Sequence, residues 1–211
     1  MSEPLENPAI NQEFERDWSA YYDAVVGRPP RDTLLAALER FEAENAGAGL
    51  AVDLGCGDGR DTVELLKRGW RVLGIDGEQE AITRLLNRPG LVAERLETQV
   101  SRFETLVLPE AVDLVNASFS LPFCPPEHFP RLWETIVASL RSGGRLCGQL
   151  FGDRDSWAIY KSINYHTRNQ LEALLQPFEV EMLQEEDHPG TTALGEEKHW
   201  HIFHLVARKR R

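Results

Sequence analysis

Residues 51–61 read Ala51-Val52-Asp53-Leu54-Gly55-Cys56-Gly57-Asp58-Gly59-Arg60-Asp61. Glycines at alternate positions let a backbone turn sharply and lie close against a ligand. An apolar run precedes them and a helical pattern follows. Such a strand-turn-helix unit puts the turn at the carboxyl ends of parallel strands, where open α/β sheets bind ligands. A dinucleotide fingerprint starting at Gly55 requires Gly or Ala at position 60, which is Arg60. The phosphate-cradling G-x-x-x-x-G-K-[ST] loop is absent. Asp53, Asp58 and Asp61 would repel a pyrophosphate. They suit instead a ligand that carries an ammonium and a sulfonium cation.

Asp76 ends the next strand pattern, about 20 residues beyond Gly55, where an acid accepts hydrogen bonds from both hydroxyls of a ribose. Taken alone, Asp76 also reads as a solvated loop carboxylate or a helix N-cap. S-adenosylmethionine (AdoMet) combines the cations with the ribose. Asp53-x-Gly55-x-Gly57-x-Gly59 with Asp76 resembles the signature of class I AdoMet-dependent methyltransferases. Arg60-Asp61 and residues 69–76 are similar to the tellurite-resistance-type branch of small-molecule methyltransferases. The resemblance follows element order from residue 50 to 151, and the last two strands match the family's reversed seventh strand.

The resemblance implies roles by position. Asp53 would organise the methionine end of AdoMet, with the turn at Gly55, Cys56 and Gly57 lying against it. Asp76, with Gly77, would hold the ribose. Relatives often place an acid followed by an apolar residue at the adenine; this chain has Arg102-Phe103, so Phe103 would pack on the base without the acid. Asn116 to Phe119 corresponds to the segment facing cofactor and acceptor. S-adenosylhomocysteine would be the product.

Methyl transfer is a one-step displacement that needs alignment and exclusion of water more than a strong base. The acceptor implied is a small molecule of unspecified identity. Residues 185–198 connect two strands on the ligand side and are expected to form a substrate lid. Its His188 and Lys198 are substrate candidates, as are Tyr22 and Phe119. His199 is the candidate general base, since an imidazole titrates near neutrality. His199 and His201 share one side of a strand; paired strand histidines are favoured over a metal site, because no ligand motif accompanies them. The alternative to an enzyme is a non-catalytic AdoMet-binding module that regulates a partner.

These residues need a scaffold. Apolar strands at residues 50–54, 72–76, 98–100, 112–118 and 145–151 alternate with helices. That order predicts a Rossmann-like, doubly wound α/β fold. Strands at 178–184 and 200–207 have no helix between them and are predicted to be antiparallel neighbours. The result is a seven-stranded, mostly parallel sheet with an antiparallel last strand. Helices are expected over residues 60–68, stopped by Gly69, over 127–140, closed by Ser142-Gly143-Gly144, and after a Thr167-Arg168-Asn169-Gln170 capping box. Ahead of the sheet, Phe14, Trp18, Tyr21 and Tyr22 share one helical face, and Leu34, Leu35, Leu38 and Phe41 another. The expected division is a helical extension and lid over residues 1–48, then an AdoMet-binding domain over residues 49–211.

Charge narrows the partners. The chain has 34 acidic and 23 basic side chains, a net −11. Nucleic-acid binders carry a basic footprint, so none is expected as partner; the basic tail at residues 208–211 reads as a solvated strand end. No apolar run approaches the ~20 residues of a membrane span, residues 1–11 lack a secretion-signal layout, and three scattered cysteines suit a reducing compartment. A cytoplasmic protein is expected.

Overall fold

The computed structural model describes residues 12–211; the first eleven residues of the expected extension lie outside the described residues. Short apolar runs form the strands β1 (Leu50–Leu54), β2 (Arg71–Asp76), β3 (Leu96–Val100) and β4 (Val112–Ala117). They are followed by β5 (Leu140–Gly152), β6 (Tyr165–His166), β7 (Phe178–Thr191) and β8 (Glu197–Lys209). The order across the sheet is β3-β2-β1-β4-β5-β8-β7. Strands β1 to β5 run parallel, and β8 is antiparallel to both neighbours. The predicted seven strands gain an eighth: β6 is two residues long and pairs with the end of β5. So brief an element carries no periodicity, which is why the sequence does not announce it.

Among the described residues six α-helices flank the sheet: α1 (Trp18–Val25), α2 (Asp32–Ala43), α3 (Thr62–Lys67), α4 (Gln79–Leu86), α5 (Phe129–Ser139) and α6 (Arg168–Leu174). The capping box forms as predicted, with Thr167 accepting from Gln170 N and Gln170 accepting from Thr167 N. Leu132 and Ile136 of α5 and Leu171 of α6 pack on Val52, Val115 and Leu146. A second core joins Leu34, Leu38 and Phe41 of α2 to Ala51, Leu114 and Val206. Helix α2 is therefore one of the layers covering the sheet. Each fully buried aliphatic side chain contributes roughly 1.5–3 kcal/mol.

Two boundaries differ from expectation. Helix α5 stops at Ser139, and β5 starts at Leu140, ahead of the glycines expected to close the helix. The extra length is absorbed by an irregularity opposite Val112 and Leu114, where Gly143 has φ +76°. Residues 185–198 are mostly strand: β7 and β8 pair from Phe178↔Lys209 out to Thr191↔Glu197, leaving only a tight turn. Continuous backbone pairing extends the hairpin past the sheet, in place of the expected loop.

A buried cation ties the layers together. The Arg145 side chain on β5 is 1% exposed and is held by Glu181 of β7 (2.7 Å) and by Glu44 at the end of α2 (2.6 Å). Its guanidinium also lies 4.5 Å from the Phe41 ring centroid. Arg145→Met is expected to cost about 3 kcal/mol, the lower end for breaking a buried pair because Glu44 keeps some solvent. Urea denaturation reads this directly; a loss under about 1 kcal/mol would show that the two glutamates rehydrate freely.

Candidate functional site

The glycine turn is clamped from two sides. Gly55 N and Cys56 N both donate to Ile75 O at the end of β2 (2.8 and 2.9 Å). From the other side Ser120 Oγ donates to Leu54 O (2.5 Å). Gly55 has φ +73°, and a Cβ there would lie 2.3 Å from Ser120 Cβ, so no other residue fits. Gly59 is bound in the same way by Leu85, 2.3 Å from its virtual Cβ at φ +89°.

Asp76 locks the turn to β2. One of its oxygens accepts from Gly57 N (2.8 Å), and the other accepts from Glu78 N (2.9 Å). Each keeps free lone-pair capacity. Burial raises its carboxyl above the ordinary range, and those backbone donors pull it partway back.

Beneath the turn lie two more carboxylates. Asp53 is 2% exposed and Asp61 4%. Register sets Asp53 of β1 beside Asn116 of β4. Asn116 Nδ2 donates to both acids, at 2.9 Å to Asp53 and 3.1 Å to Asp61. Thr62 Oγ1 donates to the second Asp53 oxygen (2.5 Å), and Arg31 N donates to Asp61 (2.9 Å). Burial, then the charge of Asp61, hold the Asp53 carboxyl well above its usual range against these donors.

The turn opens into a cavity of about 700 Å³, within the roughly 300–1,000 Å³ of small-molecule sites. One end is lined by Asp53, the turn, Asp76, Gly77, Arg102 and Phe103. Burial first, then neighbouring acids, push the Cys56 thiol up, so it stays a neutral packing group. At the other end Phe14, Trp18, Phe123, Phe151, Trp157 and Trp200 present rings. Their centroids are 4.6–6.3 Å apart along the chain Trp18–Phe123–Phe14–Trp157 and on to Phe151 and Trp200.

The structure brings together most residues singled out from the sequence, with three exceptions. Asn116 is fully buried and does not reach the cavity; it aligns the acids that do. His199 lies outside the cavity: strand alternation directs Trp200 and Ile202 into it and His199 away, where the ring meets Asp187 (2.6 Å) on an exposed face. Lys198 is sealed behind the aromatic wall in an ion pair with Asp155. Its ammonium lies 4.0 Å from the Trp157 and 4.4 Å from the Trp200 ring centroids. Burial pulls its pKa down to about 8 despite Asp155. A polar residue in a predicted loop reads as available; the hairpin instead turns it inward.

Tyr22, Phe119 and His188, the remaining substrate candidates, line the cavity. Tyr22 is buried beside Gly57. Phe119 is held at φ +54° with its N donating to Gln149 Oε1 (3.0 Å). His188 is at the exposed rim beside Glu186 (3.4 Å). Backbone bonding to Pro189 O, then Glu186, raises its pKa. Sequence reasoning missed the arginines of the wall: Arg16, Arg28, Arg31 and Arg60. Arg60 was visible as the residue that breaks the dinucleotide pattern, but scattered surface-type arginines carry no spacing signal. Among the described residues no group of three or more His, Cys, Asp or Glu side chains is placed to hold a metal, and no helix is long and apolar enough to cross a membrane.

Residues 51–144 match the model of a family described as a methyltransferase domain. No curated protein sequence matches the chain. Among solved structures, 1,6-didemethyltoxoflavin-N1-methyltransferase from Burkholderia thailandensis, with bound 1,6-didemethyltoxoflavin and S-adenosylhomocysteine, is similar. It is 22% identical, covers 92% of this chain and 85% of its own, and has a TM-score of 0.64. TehB from Haemophilus influenzae is 18% identical over 83% of this chain and 62% of its own, at TM-score 0.68. Magnesium protoporphyrin IX methyltransferase from Synechocystis PCC 6803, with bound SAM, is 14% identical over 96% and 88%, at TM-score 0.61. The fold is that of the class I methyltransferases.

Asn116→Ala tests the acid pair. A carboxyl whose folded pKa lies above its unfolded value removes stability as pH rises between the two. Deleting the shared donor raises Asp53 further and widens that window. The variant is expected to lose about 2 kcal/mol at pH 8 and clearly less at pH 5. Equal losses in urea melts at both pH values would show that the carboxylates do not depend on Asn116.

Proposed function

We infer from this methyltransferase domain that the protein binds AdoMet along the glycine turn and transfers its methyl group to a small acceptor in the aromatic half of the cavity. The observation that carries the reading is Asp76: a partly buried carboxylate, bonded to the turn and still able to accept from two ribose hydroxyls. Bound AdoMet supplies a sulfonium-activated methyl group: the acceptor's lone pair forms the new bond to carbon, and the carbon–sulfur pair returns to sulfur.

The chain's own residues then divide the work. Asp53 provides negative charge for the α-ammonium end, against the exposed backbone of Gly55 and Gly57. Arg60 is the candidate for the methionine carboxylate. Its Nε donates to Pro29 O (2.5 Å), while its buried Nη1 has no partner among the described residues. Phe103, with Arg102, packs the base beyond Gly77. Phe119 and Tyr22 narrow the passage between the two halves and exclude water from the reacting line. A proton lost by the acceptor would leave through the rim, where His188 and Glu186 are wet enough to pass it to solvent.

Calorimetric titration with S-adenosylhomocysteine, with NAD as control, tests the site: the homocysteine compound is expected to bind and NAD is not. Asp76→Ala is expected to weaken binding by roughly 1–3 kcal/mol, the scale of lost charged hydrogen bonds; an unchanged affinity in a folded variant would remove the ribose role. A cation favours ionised Asp53, and ionisation grows with pH, so AdoMet affinity should rise from pH 5.5 to 8. Asp53→Asn should bind more weakly and flatten that rise. A flat wild-type profile would take Asp53 out of cofactor binding.

A further inference from the structure

Arg16 lines the cavity wall among aromatic rings, with an unpartnered Nε and no ion pair among the described residues. It precedes α1, and its guanidinium carbon lies 4.6 Å from the Tyr21 ring centroid, 5.1 Å from Trp157 and 5.6 Å from Trp18. Its Nε is buried with no hydrogen-bond partner among the described residues. Burial lowers its pKa, which Tyr21 and Glu196 only partly offset. Glu196 lies within Coulombic reach, but its carboxylate accepts from Thr192 Oγ1 instead (3.2 Å). A half-buried guanidinium without a paired anion is costly, and ring faces recover only part of that cost. A ligand anion would complete it.

The surroundings define the rest of that ligand. Rings from four separate chain segments meet beside Arg16: Trp18 from α1 and Trp157 after β5 face its guanidinium, Phe123 after β4 packs on both, and Trp200 on β8 packs on Trp157. Such walls favour a flat, conjugated partner that stacks offset or edge-on. Asp53, Asp58, Asp61 and Asp76 line the cavity at the turn; of the acids lining it elsewhere, Glu13 is paired with Lys161 and Glu186 lies beside His188 at the rim, while Arg16 stands among the rings. A small inorganic oxyanion or an aliphatic thiol would leave the rings unused.

Building on the methyl-transfer reading, we propose that the acceptor is a planar aromatic or heteroaromatic anion, with its rings in the Trp18–Phe123–Trp157–Trp200 box and its charged oxygen on Arg16. Arg16 is a substrate-positioning residue, separate from the cofactor half.

The test uses calorimetry on the full chain saturated with S-adenosylhomocysteine. The ligands are 2-naphthoate, its neutral analogue 2-naphthamide, and cyclohexanecarboxylate, which keeps the charge but loses the flat ring. 2-Naphthoate should bind about tenfold or more tightly than either, the scale of one charge-assisted hydrogen bond. Arg16→Gln should reduce naphthoate to the level of the amide, and Arg16→Lys should restore part of the difference. S-adenosylhomocysteine affinity should stay within about twofold in both variants, which also reports that they fold. Equal binding of acid and amide would overturn the proposal, as would naphthoate affinity indifferent to Arg16→Gln. A loss of S-adenosylhomocysteine binding in Arg16→Gln would instead assign the arginine to the cofactor carboxylate. Wild-type protein that binds naphthoate but no S-adenosylhomocysteine would defeat the methyl-transfer reading while leaving the anion site standing.

Discussion

Two carboxylates share one amide beneath the glycine turn, and the architecture around the cavity follows from keeping them there. Asp53 and Asp61 sit close enough to repel, are shielded from water, and are held by Asn116, Thr62 and the backbone N of Arg31. Each donor belongs to a different element: β4, α3 and the approach to α2. A buried acid pair costs several kcal/mol unless its lone pairs are filled. The parallel register of β1 and β4 and the packing of α2 and α3 are therefore coupled to the chemistry of the turn. Concentrated negative charge under a firmly held backbone turn is an arrangement suited to receiving a cation.

The sequence was legible where chemistry imposes spacing. Alternate glycines, the acid at the end of β2 and the strand-helix alternation all translate directly into geometry, because each depends on backbone conformation or on the period of a regular element. What stayed hidden depends on long-range placement. The reach of the β7–β8 hairpin is set by backbone pairing that no local pattern encodes, and it carried Lys198 and His199 away from the roles expected of a loop. The four wall arginines other than Arg102 come from positions 16 to 60 and converge only in three dimensions. Asn116 was read as a ligand contact from its position after a parallel strand; being the shared donor between two acids requires knowing which residue lies beside it.

The same limits explain why the half of the cavity proposed for the cofactor shows more in the sequence than the half proposed for the acceptor. The former is built from one contiguous motif and one acid on an adjacent strand. The latter is assembled from α1, the segments after β4 and β5, and β8, so its character emerges only when the rings meet. The Lys198–Asp155 pair makes the point: it is sealed among Phe151, Trp157 and Trp200, and Asp155 also accepts from Trp157 N and His201 N. A polar pair thus fixes the orientation of an apolar wall.

The two halves of the cavity stand on different footings, and this bears on how such a protein can change. The turn is pinned by close packing at Gly55 and Gly59, where an added methyl group has no room. The aromatic wall hangs on α1, on the segments after β4 and β5, and on a hairpin that overshoots the sheet. Among the described residues the hydrogen bonds to the carboxylate pair come from Asn116, Thr62 and Arg31, not from those rings. Descendants of this chain could exchange one acceptor for another by remodelling the overhang alone, carrying the ancestral half forward as a fixed inheritance.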